Sequence, residues 1–235
     1  MVAVIAGSGL GLERSSAWVL GSRGQLGQAQ VGRGGDNVYV NAATGNLVVQ
    51  NTDEMLIGLG QDDVIARTYN SLGALGDDNG DNWRESVSRR VTGLTGTVNT
   101  AGSTVTRVDW DGSEVIYNWD AARSAYVSKE GSGAYDTLTF AGSTWTWKDG
   151  DSRVVETYDN ANSGRITART DLDGTSLTFA YNASGLVSRV TTHNGEYTDL
   201  TYSGTNLTQL VTSRHADVAG VAALTTLTRV RYGYD

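Results

Sequence analysis

The sequence predicts an all-β protein in which tandem β-hairpins form one long, curved antiparallel sheet. It contains 30 Gly, 0 Pro and 0 Cys, a composition that suits short strands joined by glycine turns. Apolar and polar residues alternate with a period of two along many short segments, which is typical of strands with one buried face. An aromatic residue, an Asp or Asn, and a following Gly also recur together along the chain.

The recurring unit is clearest over residues 154–195. One copy contains Tyr158-Asp159 followed by Gly164, and the next contains Tyr181-Asn182 followed by Gly185. Successive tyrosines lie roughly 20 residues apart, a spacing typical of arrays in which each unit buries its apolar face against its neighbours. The predicted structural anchors of these repeats are Trp119, Phe140, Tyr158, Asp159, Gly164, Tyr181, Gly185, Tyr202, Tyr234 and Asp235.

This repeated pattern of an aromatic residue, an Asp or Asn and a following Gly resembles the YD repeats of RHS proteins. Such proteins occur among bacterial polymorphic toxins, insecticidal Tc toxins and animal teneurins. Upstream, Asn41–Leu47, Asp53, Gly58 and Arg67–Ser71 are similar to the lead-in segment that begins many bacterial RHS cores. The two matches together extend over residues 36–235. The resemblance implies that the sheet is part of a hollow β shell, or cocoon, which encloses a toxin or other cargo located at the C-terminal end of such proteins.

We therefore expect three regions. Residues 1–35 form a Gly-rich N-terminal segment that leads into the array or plugs it, residues 36–75 form the lead-in, and residues 76–235 form the hairpin repeats. Residues 212–228 break the regular spacing of the repeats, and we predict that they are an insertion. The chain stops at Tyr234-Asp235, where the next glycine turn would begin, so we expect the N-terminal part of a longer RHS core, truncated at its C-terminus.

Alternation also predicts individual strands in the first two-thirds of the chain. They are Asn37–Val40, Leu47–Gln50 and Val64–Tyr69, and then segments around Val98, Val105–Val108, Val115–Trp119, Ala125–Val127, Leu138–Phe140 and Trp145–Trp147. Trp145 and Trp147 are two residues apart, so a strand places both rings on one face. An exposed pair would suit stacking on a sugar, whereas burial in the array is the simpler explanation.

Two short segments are candidate ligand sites, and both lack part of the pattern. Gly7 and Gly9 could begin a dinucleotide fingerprint, but Leu12 occupies the position of its third glycine. Asp77–Asp81 has the alternate-residue spacing of a calcium loop, but Asn82 and Ser88 stand where that loop needs Gly and Glu. We therefore predict no cofactor and no metal, and a solvated turn at Asp77–Asp81.

The inventory of catalytic groups is small. Without Cys, and with His193 and His215 as the two histidines, neither a nucleophilic triad nor a histidine metal site has a recognisable pattern. The sequence therefore predicts a protein that is not an enzyme. Pairs of carboxylates leave a glycosidase open as an alternative, because sequence does not show which acidic residues lie close together.

Composition also limits the partners. A net charge of −8 argues against nucleic acid, which needs a basic surface, and no apolar run has the length of a membrane span. The resemblance implies a structural shell segment whose partners are the rest of its own RHS chain and a C-terminal toxin or cargo, in a secreted or bacterial cell-surface protein. A secretion-system component is a further candidate partner. The alternative is an adhesin-like module that binds a surface glycan or another protein.

Overall fold

A computed structural model of the chain describes residues 1–58, 60–73, 80–128, 133, 135–215 and 224–234. In chain order, its helix and strands are β1 (Ala3–Ile5), α1 (Ser16–Ser22), β2 (Asn37–Asn41), β3 (Leu47–Leu56), β4 (Asp63–Asn70), β5 (Trp83–Glu85), β6 (Arg90–Thr95), β7 (Thr104–Val108), β8 (Glu114–Asp120), β9 (Ala125–Val127), β10 (Thr137–Ala141), β11 (Thr144–Lys148), β12 (Val155–Asp159), β13 (Arg165–Thr170), β14 (Ser176–Tyr181), β15 (Val187–Thr191), β16 (Tyr197–Ser203), β17 (Asn206–His215) and β18 (Leu224–Arg231). The prediction of an all-β protein is confirmed.

The first sheet holds five strands in the order β1-β2-β3-β4-β5. Its pairs are antiparallel except β1–β2, which is parallel. Helix α1 lies in the connection between β1 and β2, and Ser15 caps its start because the Ser15 hydroxyl accepts a hydrogen bond from the backbone N–H of Ala17 (3.2 Å). The N-terminal residues thus form part of the sheet and one short helix.

The second sheet closes on itself. Strands β6 to β13 are paired in succession, and β13 pairs with β6 as well as with β12, which gives a closed eight-stranded barrel. The prediction of one long curved sheet did not specify this closure. Seven of the eight strand pairs in the barrel join antiparallel strands that are consecutive in the chain. The eighth pair, β6–β13, joins strands that are far apart in sequence.

The β6–β13 contact is short, and we call it the closure seam. Arg90 and Arg165 are its only paired residues within the described strands. The backbone N–H of Val91 donates to the carbonyl of Gly164 (2.8 Å), and that of Ile166 to the carbonyl of Arg89 (3.2 Å). Few backbone hydrogen bonds therefore hold the barrel shut.

Each of the eight barrel strands contributes to one apolar core. Its buried members are Val91, Val105, Val115, Tyr117, Tyr126, Leu138, Trp145, Trp147, Tyr158 and Ile166. Trp145 is 1% exposed and Trp147 7% exposed, so the prediction that this pair is buried is confirmed. Because alternate residues of every strand point into the barrel, its interior is filled by side chains.

Beyond the barrel, strands β14 to β18 continue the second sheet as an antiparallel run. One face of this run packs against β4 and the segment that follows β5. The buried residues at this contact are Ile65, Val87, Leu177, Val187, Val190, Leu200, Leu207 and Leu210. The two sheets are therefore joined by an apolar interface between the β4–β5 region and the last strands.

Strand β18 lies at the edge of the second sheet and pairs with β17 on one side. Most of its residues are exposed. The ends of the predicted insertion 212–228 belong to the β17–β18 hairpin, and residues 216–223 lie outside the described part of the chain. The prediction of a strand around Val98 is wrong, because Val98 lies in the turn region between β6 and β7 and packs against the barrel core from there.

Within the described ranges, no helix combines the length and the hydropathy needed to cross a membrane. Of the predicted solvated turn at Asp77–Asp81, residues 77–79 lie outside the described part of the chain.

Candidate functional site

A cluster of charged side chains lies inside the barrel beside the closure seam. Arg89 precedes β6, Arg107 lies on β7, Asp109 follows β7, and Glu156 lies on β12. The side chains of Arg107, Asp109 and Glu156 are almost fully buried, and that of Arg89 is mostly so. The strands that carry the cluster are those that meet at or next to the seam.

Glu156 is the centre of this cluster. Its Oε2 accepts hydrogen bonds from Arg107 Nη2 (2.8 Å) and from the Tyr158 hydroxyl, and its Oε1 is paired with Arg89 Nη1. Arg169 Nε lies 3.6 Å from the same Oε1. One carboxylate thus joins β7, β12, β13 and the residue before β6.

Asp109 supplies the second carboxylate. Its Oδ2 lies 3.0 Å from Arg107 Nη1 and its Oδ1 lies 3.4 Å from Arg89 Nε. The backbone N–H of Trp110 also donates to Oδ1 (2.7 Å). The two arginines are therefore shared between the same two carboxylates, which leaves each buried charge with an opposite partner, as burial requires.

Electrostatics keeps both carboxylates ionised. Burial by itself would raise the pKa of Glu156, but the guanidiniums of Arg89 and Arg107 outweigh it and hold that pKa below its ordinary value. Burial likewise acts to raise the pKa of Asp109, and the same two arginines lower it. The cluster is therefore an ion network at neutral pH.

Aromatic side chains extend this network across the barrel. Arg107 lies 3.7 Å from the centre of the Trp147 ring, and its Nε donates to the Tyr158 hydroxyl (2.9 Å). Trp147 Nε1 donates to the Tyr117 hydroxyl (2.9 Å). Burial raises the pKa of Tyr158 well above its ordinary value, so its hydroxyl remains a hydrogen-bond donor.

The N-terminal segment is attached to the turn between β7 and β8. The backbone N–H of Leu12 donates to Asp111 Oδ2 (2.7 Å), and that of Glu13 to the Ser113 hydroxyl (3.2 Å). Glu13 is brought beside Asp109, and burial, with the Asp109 charge and a hydrogen bond to it, raises the pKa of Glu13 to about 9. Chemically, this pair holds a proton on one carboxyl next to an ionised carboxylate.

No group of three or more His, Cys, Asp or Glu side chains arranged to hold a metal ion occurs among the described residues. The carboxylates of the cluster are bound to guanidiniums instead.

One predicted anchor, Tyr158, belongs to the charged cluster. Three other tyrosines each make the same kind of hydrogen bond. The hydroxyl of Tyr181 donates to the carbonyl of Ile166 (2.6 Å), that of Tyr202 to the carbonyl of Val187 (3.0 Å) and that of Tyr234 to the carbonyl of Leu207 (2.8 Å). Each of these contacts reaches back to a preceding strand. Their role as repeat anchors stays a prediction.

Of the remaining anchors, Gly164 lies at the closure seam. The ring of Trp119 lies edge-on to Tyr126 (5.2 Å between centroids), and that of Phe140 is tilted against Trp145 (4.7 Å).

The turn anchors have local contacts. Asp159 Oδ1 accepts a hydrogen bond from the backbone N–H of Ala161 (3.0 Å). Gly185 has a positive φ of 77°, and a Cβ there would meet the Arg165 guanidinium at 2.4 Å. Asp235 lies outside the described residues.

A protein-family model described as a domain of unknown function (DUF6531) matches residues 38–117. The match runs from β2 into β8. It therefore includes most of residues 36–75, which were predicted to be a lead-in, and part of the barrel. Three cluster members, Arg89, Arg107 and Asp109, lie within the match, and Glu156 lies beyond it. No curated protein matches the chain.

Sequence reasoning missed the charged cluster, although one signal points to it. Glu156 stands two residues before the predicted anchor Tyr158, and Arg107 stands two residues after the apolar Val105. In a strand, both charges therefore take the inward register. A charged residue in register with a buried aromatic marks a candidate interior ion pair.

Proposed function

We propose that the chain is a structural segment of an RHS-type shell that encloses and protects a C-terminal toxin or other cargo for delivery. The observation that supports this most directly is the antiparallel run β13 to β18, in which tyrosines at recurring positions bond backwards to carbonyls of preceding strands. A contact that repeats from hairpin to hairpin lets each unit stabilise its neighbour, which is how arrays hold together.

The edge strand β18 suits this role. Its eight residues Leu224–Arg231 are almost all exposed, among them Leu224 and Leu227. An edge of this length offers backbone groups and apolar side chains to a further strand. In the proposed shell, a following hairpin of the same RHS protein pairs with it.

The charged cluster has a structural role in this proposal. The seam between β6 and β13 has few backbone hydrogen bonds, so strand pairing alone specifies its register weakly. In any other register, a charge of the cluster would be buried without its partner. This cost would make the observed closure the preferred one. We propose a structural function for the chain, and not a catalytic one, in a secreted or cell-surface protein.

The glycan-binding alternative relied on Trp145 and Trp147. Both rings are buried in the barrel core, so this pair gives that function no support.

The experiment is a protease-protection assay on the complete product of the gene. We expect the region after this chain to resist protease in the native protein and to be digested after mild unfolding. Tyr181→Ala, which removes the bond to Ile166, should reduce this protection, and the exposed His193→Ala should not. Electron microscopy should show a hollow particle.

A gene product whose following region is digested as fast as the same region expressed alone would contradict the shell proposal. So would equal protection in the Tyr181→Ala and His193→Ala variants.

A further inference from the structure

A cavity of about 400 Å³ lies between the N-terminal segment and the turn that joins β7 and β8. Residues of α1, of the chain around it and of β2 form its walls. Its lining includes Glu13, Trp18, Gln30, Tyr39, Trp110 and Asp111. Its volume is within the range of small-molecule sites, about 300–1,000 Å³, and the shell function proposed above does not use it.

Three aromatic side chains from different elements meet at this cavity: Trp18 from α1, Tyr39 from β2 and Trp110 from the β7–β8 turn. Trp18 is 57% exposed, which is unusual for a tryptophan on a folded protein. Aromatic rings that line a cavity provide apolar contact and attract positive charge through their π systems.

The lining contains one unpaired buried acceptor and two acids. Gln30 Oε1 is buried and has no hydrogen-bond partner in the part of the chain that the structure describes. Among the described residues, Glu13 and Asp111 are the ionisable side chains of the lining apart from Tyr39, and none of its members is Lys, Arg or His. Gln30 Oε1 therefore favours a ligand that supplies a hydrogen-bond donor, and an anion finds no opposite charge among these residues.

Glu13 connects the cavity with the charged cluster. The groups that act on it are the carboxylates of Asp109 and Asp111 and the guanidinium of Arg107, with the hydroxyl of Tyr117 farther along β8. Burial and the two carboxylates raise the pKa of Glu13 to about 9, against the opposing effect of Arg107. At neutral pH the carboxyl group of Glu13 is therefore protonated. A cation bound in the cavity in place of this proton would lie close to the carboxylates of Asp109 and Asp111.

We infer that this cavity binds an organic cation, a guanidinium or ammonium group on an apolar body, whose N–H groups donate to Gln30 Oε1 and Glu13 and whose charge lies beside Trp18 and Trp110. Binding releases the proton of Glu13, because the cation replaces it as the positive partner of the carboxylates. An unpaired buried acceptor is costly, and the ligand satisfies it.

The test is a titration of the complete chain with benzylguanidinium, followed by calorimetry and tryptophan fluorescence, beside the neutral analogue benzylurea. We expect benzylguanidinium to bind at least about tenfold more tightly, since charge is the main difference between the two. Its affinity should rise from about pH 7 to about pH 9, as the competing proton leaves Glu13, while the affinity of benzylurea should stay constant.

Three variants sharpen this experiment. Trp18→Ala should weaken benzylguanidinium binding several-fold, whereas the neighbouring Val19→Ala, which is exposed and outside the lining, should not. Glu13→Gln should abolish the pH dependence. Trp18 is exposed enough that Trp18→Ala should fold normally, so this variant still decides the question if Glu13→Gln does not fold.

Equal affinity for benzylguanidinium and benzylurea would overturn the inference, as would no saturable binding of benzylguanidinium up to about 10 mM. Unchanged binding in Trp18→Ala would place the ligand elsewhere and overturn it as well.

Discussion

At the scale of single residues, Glu156 shows how one side chain can determine a closure. It is the carboxylate to which Arg89, Arg107 and Tyr158 all bond. A buried ion pair gains little over an apolar pair, but breaking it strands the remaining charges in a medium of low dielectric constant. The seam therefore depends on the Glu156 carboxylate, because its loss would leave buried arginine charges without a partner.

Glu156→Gln is expected to lower the free energy of unfolding by about 3–5 kcal/mol. Glutamine keeps the shape of the side chain and removes the charge, so Arg89 and Arg107 are left with Asp109 alone from the cluster's two carboxylates. Urea denaturation of the purified chain measures this change.

The matched control is Asp199→Asn, which breaks an exposed pair with Arg189 on neighbouring strands. Surface pairs of this kind contribute about 1 kcal/mol or less. If both substitutions cost the same, the buried cluster has no special part in stability.

At the scale of elements, the hairpin between β12 and β13 determines whether the barrel can close. Gly164 follows Ser163, which caps the 3₁₀ turn Asn160–Asn162. Gly164 has a positive φ of 65°, and a Cβ built on it would lie 1.8 Å from the carbonyl oxygen of Val91. The backbone of β6 approaches here because glycine has no side chain. Gly164 was predicted from the repeat pattern as a turn residue. Its contact with β6 is a second reason for a glycine at this position, which the repeat pattern does not show.

Gly164→Ala should therefore destabilise the protein by at least about 2 kcal/mol more than Gly174→Ala. Gly174 also has a positive φ (83°), but a Cβ there meets nothing within 4 Å, so it controls for backbone strain alone. Thermal unfolding gives the difference. Hydrogen exchange at the amides of Val91 and Ile166 would show whether the seam opens; equal protection in both variants would contradict this explanation.

At the scale of the whole molecule, the two sheets share an interface that contains a buried acid. Asp63, the first residue of β4, is 1% exposed, and its Oδ2 has no hydrogen-bond partner among the described residues. Burial raises its pKa to about 7; the Thr198 hydroxyl on β16 acts against this rise, and the charge of Glu54 adds to it. The first sheet and the last strands therefore meet at a group whose pKa lies near neutrality.

The contribution of Asp63 to the free energy of unfolding should fall as the pH rises from about 4 to about 7, because the folded state holds this proton more tightly than the unfolded chain does. Asp63→Asn removes the buried charge. It should therefore be more stable than the parent chain above pH 7, by up to about 4 kcal/mol, and should match it near pH 4. Urea titrations at several pH values measure this, with the exposed Asp173→Asn as a control whose profile follows that of the parent chain.

Much of the local structure could be predicted from sequence because strand formation follows alternation and turns follow glycine. The strands from β2 to β4 and from β7 to β11 were predicted close to their positions, except that β3, predicted as Leu47–Gln50, continues to Leu56. The burial of Trp145 and Trp147 was predicted as well. Val98 was misassigned because its apolar side chain packs on the core from a turn, and periodicity does not separate that case from a strand.

The sequence by itself determined the fold class, the hairpins and which faces are apolar, since these depend on residues close together in the chain. The tertiary structure decided which distant strands meet: β6 with β13, and the first sheet with the last strands. It also decided where Glu13, Arg107 and Glu156 come together. Contacts of this kind have no periodic signature, because loop closure brings them together and the burial of charge and apolar surface then selects among the possible closures.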